Sequence, residues 1–200
     1  MVHFTRSEIR HILISILILV VALSGIGPYW PGVEGIGIRI AAVSLPLVTG
    51  FFLHEFAHKS IAMRFGYWAV YRMWTFGLLF ALVIGLASSG HFLFAAPGAV
   101  VILTPYASRR ESGLISVAGP LTNLAVGGCF LPLAFLGGNL IGLIGSMGAW
   151  INFWLAFFNL LPVPPLDGSK IFYWNARVWI AAEALSIGLM AFSWRMILPF

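Results

Sequence analysis

Six long apolar stretches dominate the chain, at positions 9–23, 36–53, 73–87, 114–136, 140–161 and 178–198, with polar residues collected in the gaps between them. Several of these runs approach or exceed the roughly 20 residues that a helix needs to cross a hydrocarbon core. A helix satisfies its own backbone hydrogen bonds, so it is the form expected of an apolar segment in lipid. The pattern predicts spans at 9–24, 36–63, 112–136, 140–161 and 178–198.

Residues 67–111 follow a different pattern. Positions 73–87 are helix-like and apolar, whereas 91–105 combine a breaker at Pro97 and Gly98 with a β-branched run at 99–104. The region near 91–106 is expected to be either a crossing interrupted at Pro97 or a re-entrant β-hairpin dipping into the bilayer. Non-helical backbone at that depth needs protein or a wet cavity to cover it. The expected fold is an all-α polytopic membrane protein with about five or six transmembrane helices. It is read as one membrane-embedded domain over residues 1–200, without internal repeats and without a soluble module.

Composition strengthens this picture. Apolar residues make up 60% of the 200 positions and charged residues only 8%, against about 25% charged in soluble domains. The chain lacks the polar surface needed to cover itself in water. Its net charge of +5 comes from eleven basic residues spread thinly near the ends of apolar runs. That placement suits anchors near anionic headgroups and argues against nucleic acid as a partner. The single cysteine, Cys129, rules out an internal disulfide or a thiolate metal site. No small-residue cleavage site follows 9–23, so that run reads as an uncleaved first span.

Charge also suggests an orientation in the cell membrane. The loop at 25–32 carries no Lys or Arg, whereas Lys59, Arg64 and Arg72 follow the second run. The positive-inside rule then puts the N-terminus in the cytoplasm and residues 54–58 near the same face, with Arg39 discordant.

The candidate chemistry lies in that second run. His54-Glu-Phe-Ala-His58 places two imidazoles at i and i+4 on one helical face, where both can grip one metal. Glu55 stands beside them as a base for an attacking water. A catalytic zinc takes three protein ligands and keeps one position open. Asp167, the chain's only aspartate, follows three prolines where a span breaks and precedes Gly168. A buried carboxylate there is costly unless a cation neutralises it, so beside the histidine pair it reads as the third ligand rather than as an interfacial cap.

Asn123 is a candidate oxyanion donor or holder of the substrate backbone, with an interhelical hydrogen bond as the alternative. Asn159 is a weaker candidate for substrate binding, since it can also tie down a broken helix. The segment 99–103 can pair with an unwound substrate strand. Glu183 is expected to pair with Arg177 or Lys170.

Three segments together, His54-Glu-Phe-Ala-His58, Ala118-Gly-Pro-Leu-Thr-Asn123 and Asn159-Leu-Leu-Pro-Val-Pro-Pro-Leu-Asp-Gly168, resemble the core motifs of the site-2 protease family of intramembrane zinc metalloproteases. The resemblance implies one zinc held by His54, His58 and Asp167, with Glu55 as catalytic base and acid. It also implies a three-helix core within about 36–175 and membrane-spanning proteins as substrates. Two competing readings use the same residues: a metal or proton transporter, and a catalytically idle membrane scaffold. A transporter needs polar groups along a path to both faces, whereas here they gather at three motifs.

Overall fold

The computed structural model describes residues 2–24, 35–90, 97–103, 107–136 and 140–197. The expectations for 25–34, including the outer loop, Trp30 and Glu34, and for His91 and the turn at 137–139 lie outside the described residues.

Helix α1 spans Arg6–Leu23 and starts at a capping box, in which Thr5 accepts the Glu8 amide and Glu8 reaches back to the Thr5 amide. Helix α2 (Ile36–Arg64) carries the histidine motif. Strand β1 (Ala69–Met73), helix α3 (Thr75–Ala87) and strand β2 (Gly98–Ile102) follow. Helix α4 (Arg109–Ala134) opens on a second capping box, Ser108 with Glu111. Helices α5 (Leu140–Leu160), α6 (Asp167–Trp174) and α7 (Ala176–Ile197) complete the chain.

Among the described residues, α2, α4, α5 and α7 are long and apolar enough to cross a membrane. The expected five or six crossings included α1 and α3. Helix α1 carries Arg6, Glu8 and Arg10 within its 18 residues. Helix α3 has 13 residues, about 20 Å of helix against a hydrocarbon core of roughly 30 Å. Large side chains face outward, among them Leu17 at 65% exposure, Phe76 at 76% and Phe135 at 69%. In water such a surface would aggregate; in lipid it is solvated.

Helices α2, α4 and α5 pack on one another in every pairing, and α7 covers the far side of α5. Lipid gives no hydrophobic drive for helices to associate, so close packing at small residues must supply it. Helix α5 follows this rule, burying Gly142, Gly145, Gly148 and Ala149 along with Trp150, Phe153 and Leu160. Helix α1 packs on α2, α3 and β1, and Leu19, Leu47, Tyr71, Ile151 and Leu155 share one core with it.

The β-branched run forms a strand, as one of the two readings of that region expected. Among the described residues β2 pairs antiparallel with β1, Ala69 opposite Ile102 and Met73 opposite Gly98. Helix α3 lies between them in sequence, so the two strands come together across an inserted helix rather than a tight turn. The ladder also fixes which backbone groups remain open. The Leu103 amide bonds the Trp68 carbonyl and the Trp74 amide bonds the Pro97 carbonyl. Bonded and unbonded pairs alternate in an antiparallel ladder, so Tyr71 and Val100 form an unbonded pair. Their amides point to opposite outer edges of the sheet.

Cys129 is exposed on α4, and one expectation changes. Glu183 accepts the Ser186 hydroxyl at 3.2 Å, while Lys170 lies 3.8 Å from Asp167.

Candidate metal centre

His54, Glu55 and His58 sit on the buried side of α2, between 5% and 6% exposed. Asp167 joins them from the first turn of α6, where an anion is favoured by the helix dipole. One ligand atom from each of His54, His58 and Asp167 lies within 4.8 Å of the other two.

The hydrogen bonds around the imidazoles determine what their inner nitrogens can do. His58 Nδ1 lies 2.8 Å from the Ile115 carbonyl. A carbonyl only accepts, so Nδ1 carries the proton and Nε2 presents a lone pair. His54 Nδ1 lies 2.5 Å from Asn123 Oδ1. The orientation of that amide follows from its other side, because Asn123 Nδ2 donates to the Gly50 carbonyl at 3.2 Å and to Asn152 Oδ1 at 3.1 Å. His54 is therefore also protonated at Nδ1 and open at Nε2.

The two Nε2 atoms approach to 2.9 Å, and Asp167 Oδ2 lies 2.9 Å from one and 3.4 Å from the other. Three electron-pair donors thus converge on one point. An anion and two imidazole lone pairs directed together repel one another unless a cation lies between them. The donor set, two nitrogens and one oxygen with room for a fourth ligand, fits a catalytic divalent metal.

Local sequence makes this approach possible. A Cβ on Gly119 would collide with His58 Nε2 and stand 2.6 Å from His54 Nε2. Only glycine lets α4 lie this close to the pair. Pro120 cannot donate to the Ser116 carbonyl four residues upstream, which loosens the helix beside the Ile115 carbonyl that receives the His58 proton. At the other end, a Cβ on Gly168 would strike the Leu160 carbonyl, so glycine allows α6 to start directly against the end of α5.

A cavity of about 930 Å³ opens onto the centre and is bordered by β2, Asn159, Ser116 and Lys170. Glu55 faces it with Oε2 buried and unpartnered. The Val100 amide, unpaired by β1, faces the Glu55 carboxylate. The open edge of β2 therefore runs along the cavity beside the acid.

The predicted residues occupy different positions. His54, Glu55, His58 and Asp167 come together. Asn123 does not line this cavity; it is fully buried, with its oxygen on His54 and its amide nitrogen on Gly50 and Asn152. Of the two readings of Asn123, the interhelical hydrogen bond is the one seen here, and it orients His54. Asn159 does line the cavity, with Nδ2 bonded to the Leu155 carbonyl at 2.9 Å. Asn152 was not anticipated. It is fully buried and also donates to the Gly148 carbonyl at 2.9 Å. A lone amide inside an apolar span was the available signal.

Comparison with known proteins points to one family. The model of peptidase family M50 matches residues 134–185, the segment that includes Asp167. A Methanocaldococcus jannaschii protein named "Putative zinc metalloprotease MJ0611" is 38% identical over 192 residues, 94% of this chain and 95% of its own length. "Putative zinc metalloprotease YwhC" of Bacillus subtilis is 32% identical over 64% of this chain and 65% of its own. "Putative zinc metalloprotease Rip3" of Mycobacterium tuberculosis is 31% identical over 70% of this chain and 31% of its own. No solved structure is significantly similar. Given 38% identity along nearly the whole length of both proteins, the chain belongs to peptidase family M50.

Proposed function

We propose that this chain is an intramembrane zinc metalloprotease that hydrolyses peptide bonds within or near the transmembrane segments of other membrane proteins. The observation that carries the reading is the convergence of two imidazole lone pairs and a carboxylate beside a second carboxylate with an unpartnered oxygen. The names of the relatives support zinc as the metal.

His54, His58 and Asp167 would hold the ion. When bound, zinc supplies Lewis acidity that polarises the scissile carbonyl and acidifies water. Glu55 accepts the proton of the attacking water and returns it to the leaving nitrogen. Asn123 and the Ile115 carbonyl keep the two imidazoles in the tautomer that points Nε2 inward. The cavity gives water a place beside the acid within an otherwise apolar bundle.

A substrate helix hides its carbonyls in its own hydrogen bonds, so it must unwind before it can be cut. The open edge of β2 offers main-chain partners to such an unwound strand. Asn159 lines the same cavity and can hold the substrate backbone. Positive charge at Arg64, Arg72, Arg109 and Arg110 supports a site nearer the cytoplasmic face of the cell membrane, with the N-terminus on that side.

The test is cleavage of a model transmembrane substrate by purified protein in liposomes, together with zinc flux across the same membranes. Cleavage without flux is the expected result. Flux without cleavage would replace the protease with a transporter, and neither activity would favour a scaffold.

A further inference from the structure

Glu8 and Lys59 form an ion pair at 2.5 Å, with 2% and 3% of their side chains exposed. The hydrolysis described above uses neither residue. Buried opposite charges are a poor source of stability unless their remaining lone pairs are also bonded. Here they are. Glu8 Oε1 also accepts the Tyr71 backbone amide at 3.0 Å, and Oε2 accepts the Thr5 amide at 2.8 Å. One carboxylate thus joins α1, α2 and β1.

Each joint adjoins the candidate centre. Lys59 follows His58 directly in α2. Tyr71 stands opposite Val100, whose amide faces Glu55. A second tie runs from α1 to the same strand, Ser15 Oγ to the Tyr71 hydroxyl at 2.9 Å. The Tyr71 amide points to the outer edge of β1, and Glu8 meets it there. The sheet therefore has one edge occupied by Glu8 and one edge open to the cavity.

We propose that Glu8 is a positioning residue for substrate. By tying the β1 amide to Lys59, it fixes the height of the strand pair against α2. The open edge of β2 then meets a substrate strand in register with Glu55. This role rests on the protease reading above.

Two double variants of the full chain separate positioning of the strand pair from simple charge pairing. Glu8→Gln/Lys59→Met removes both charges but keeps an acceptor for the Tyr71 amide. Glu8→Leu/Lys59→Met removes the acceptor as well. The Leu variant is expected to raise KM about tenfold, the weight of one hydrogen bond to a charged acceptor. Its kcat and zinc content should stay near those of wild type. The Gln variant should keep a KM close to wild type. Hydrogen exchange over residues 69–73, measured without substrate, should be about tenfold faster in the Leu variant than in the Gln variant.

An equal KM in the two variants, with equal exchange, overturns the proposal. If the Leu variant does not fold, Glu8→Ala/Lys59→Met decides, because it removes the same acceptor without the branched bulk of leucine. A raised KM supports the positioning role and an unchanged KM defeats it. A wild type no more active than Glu55→Gln would defeat the protease reading, while the exchange contrast still judges the Glu8 tie to β1 by itself.

Discussion

Glu8 and Glu55 are buried to a similar degree, 1% and 5% exposed, and Glu55 lies one helical turn before Glu8's partner Lys59. Their surroundings are opposite. The Glu8 oxygens receive the Lys59 ammonium and the Tyr71 and Thr5 amides. Glu55 Oε2 receives nothing. Native interiors leave few buried polar atoms unpaired, and the exceptions concentrate where chemistry is done. A satisfied carboxylate fastens three elements together, while the unsatisfied one is left available for a proton.

The imidazoles repeat this contrast within single rings. Each Nδ1 is bonded outward, to Asn123 or to the Ile115 carbonyl, and each Nε2 is directed inward at the other donors. The outer bonds are architecture, and the inner convergence is the site.

Substitutions test the difference, and the largest effect is expected at the unsatisfied acid. Glu55→Gln keeps the shape of the side chain and removes the base. Cleavage should fall by about 10²–10⁴-fold while zinc stays bound. A residual activity within a few-fold of wild type would remove Glu55 from the proton transfer.

Asp167→Ala deletes the one anionic donor at the convergence point. Zinc affinity, measured by competition with a chelator, should drop by more than the roughly 10–100-fold typical of an outer partner. Unchanged affinity would refute Asp167 as a ligand.

Asn123→Ala leaves all three donors in place and removes only the acceptor that sets the His54 tautomer. The expected loss is about 10–100-fold in zinc affinity. If kcat instead fell at full zinc loading, Asn123 would be acting on substrate, as an oxyanion donor would.

Gly119→Ala tests the close approach of α4. The added methyl would overlap His58 Nε2, so weakened metal binding is expected with little change in helix content by circular dichroism. Normal zinc binding would mean that α4 can shift without disturbing the centre.

The smallest effect is expected at the satisfied acid. The Gln-bearing pair variant at Glu8 and Lys59 should leave zinc content and kcat close to wild type. Loss of zinc there would mean that the two acids are not independent.

The readable parts of this protein were the local ones. Long apolar runs marked the four helices that are long and apolar enough to cross a membrane among the described residues, because helix length and hydropathy are properties of contiguous residues. His54 and His58 were visible because i, i+4 spacing is a property of a single helix. Asp167 was found despite its distance because it is the only aspartate in the chain.

The rest depended on long-range contacts. β1 was missed because five residues between two helices pair with a strand that follows an inserted helix. The capping box at Thr5 and Glu8 marks a helix start, but no periodicity connects Glu8 with Lys59, 51 positions later. The role of Asn123 stayed open between two readings for a similar reason. Its type suits either a donor to substrate or an interhelical hydrogen bond, and only the positions of Gly50 and Asn152 turn its oxygen toward His54.

The central claim is that converging donors hold zinc while a separate acid with one unpartnered oxygen does the proton transfer. Zinc content and cleavage of a transmembrane substrate, measured on the same preparations of wild type and Glu55→Gln, test it most directly. The account predicts about one zinc per chain in both proteins, with cleavage in the wild type alone. A wild type without zinc, or a Glu55→Gln protein that still cleaves, would contradict it.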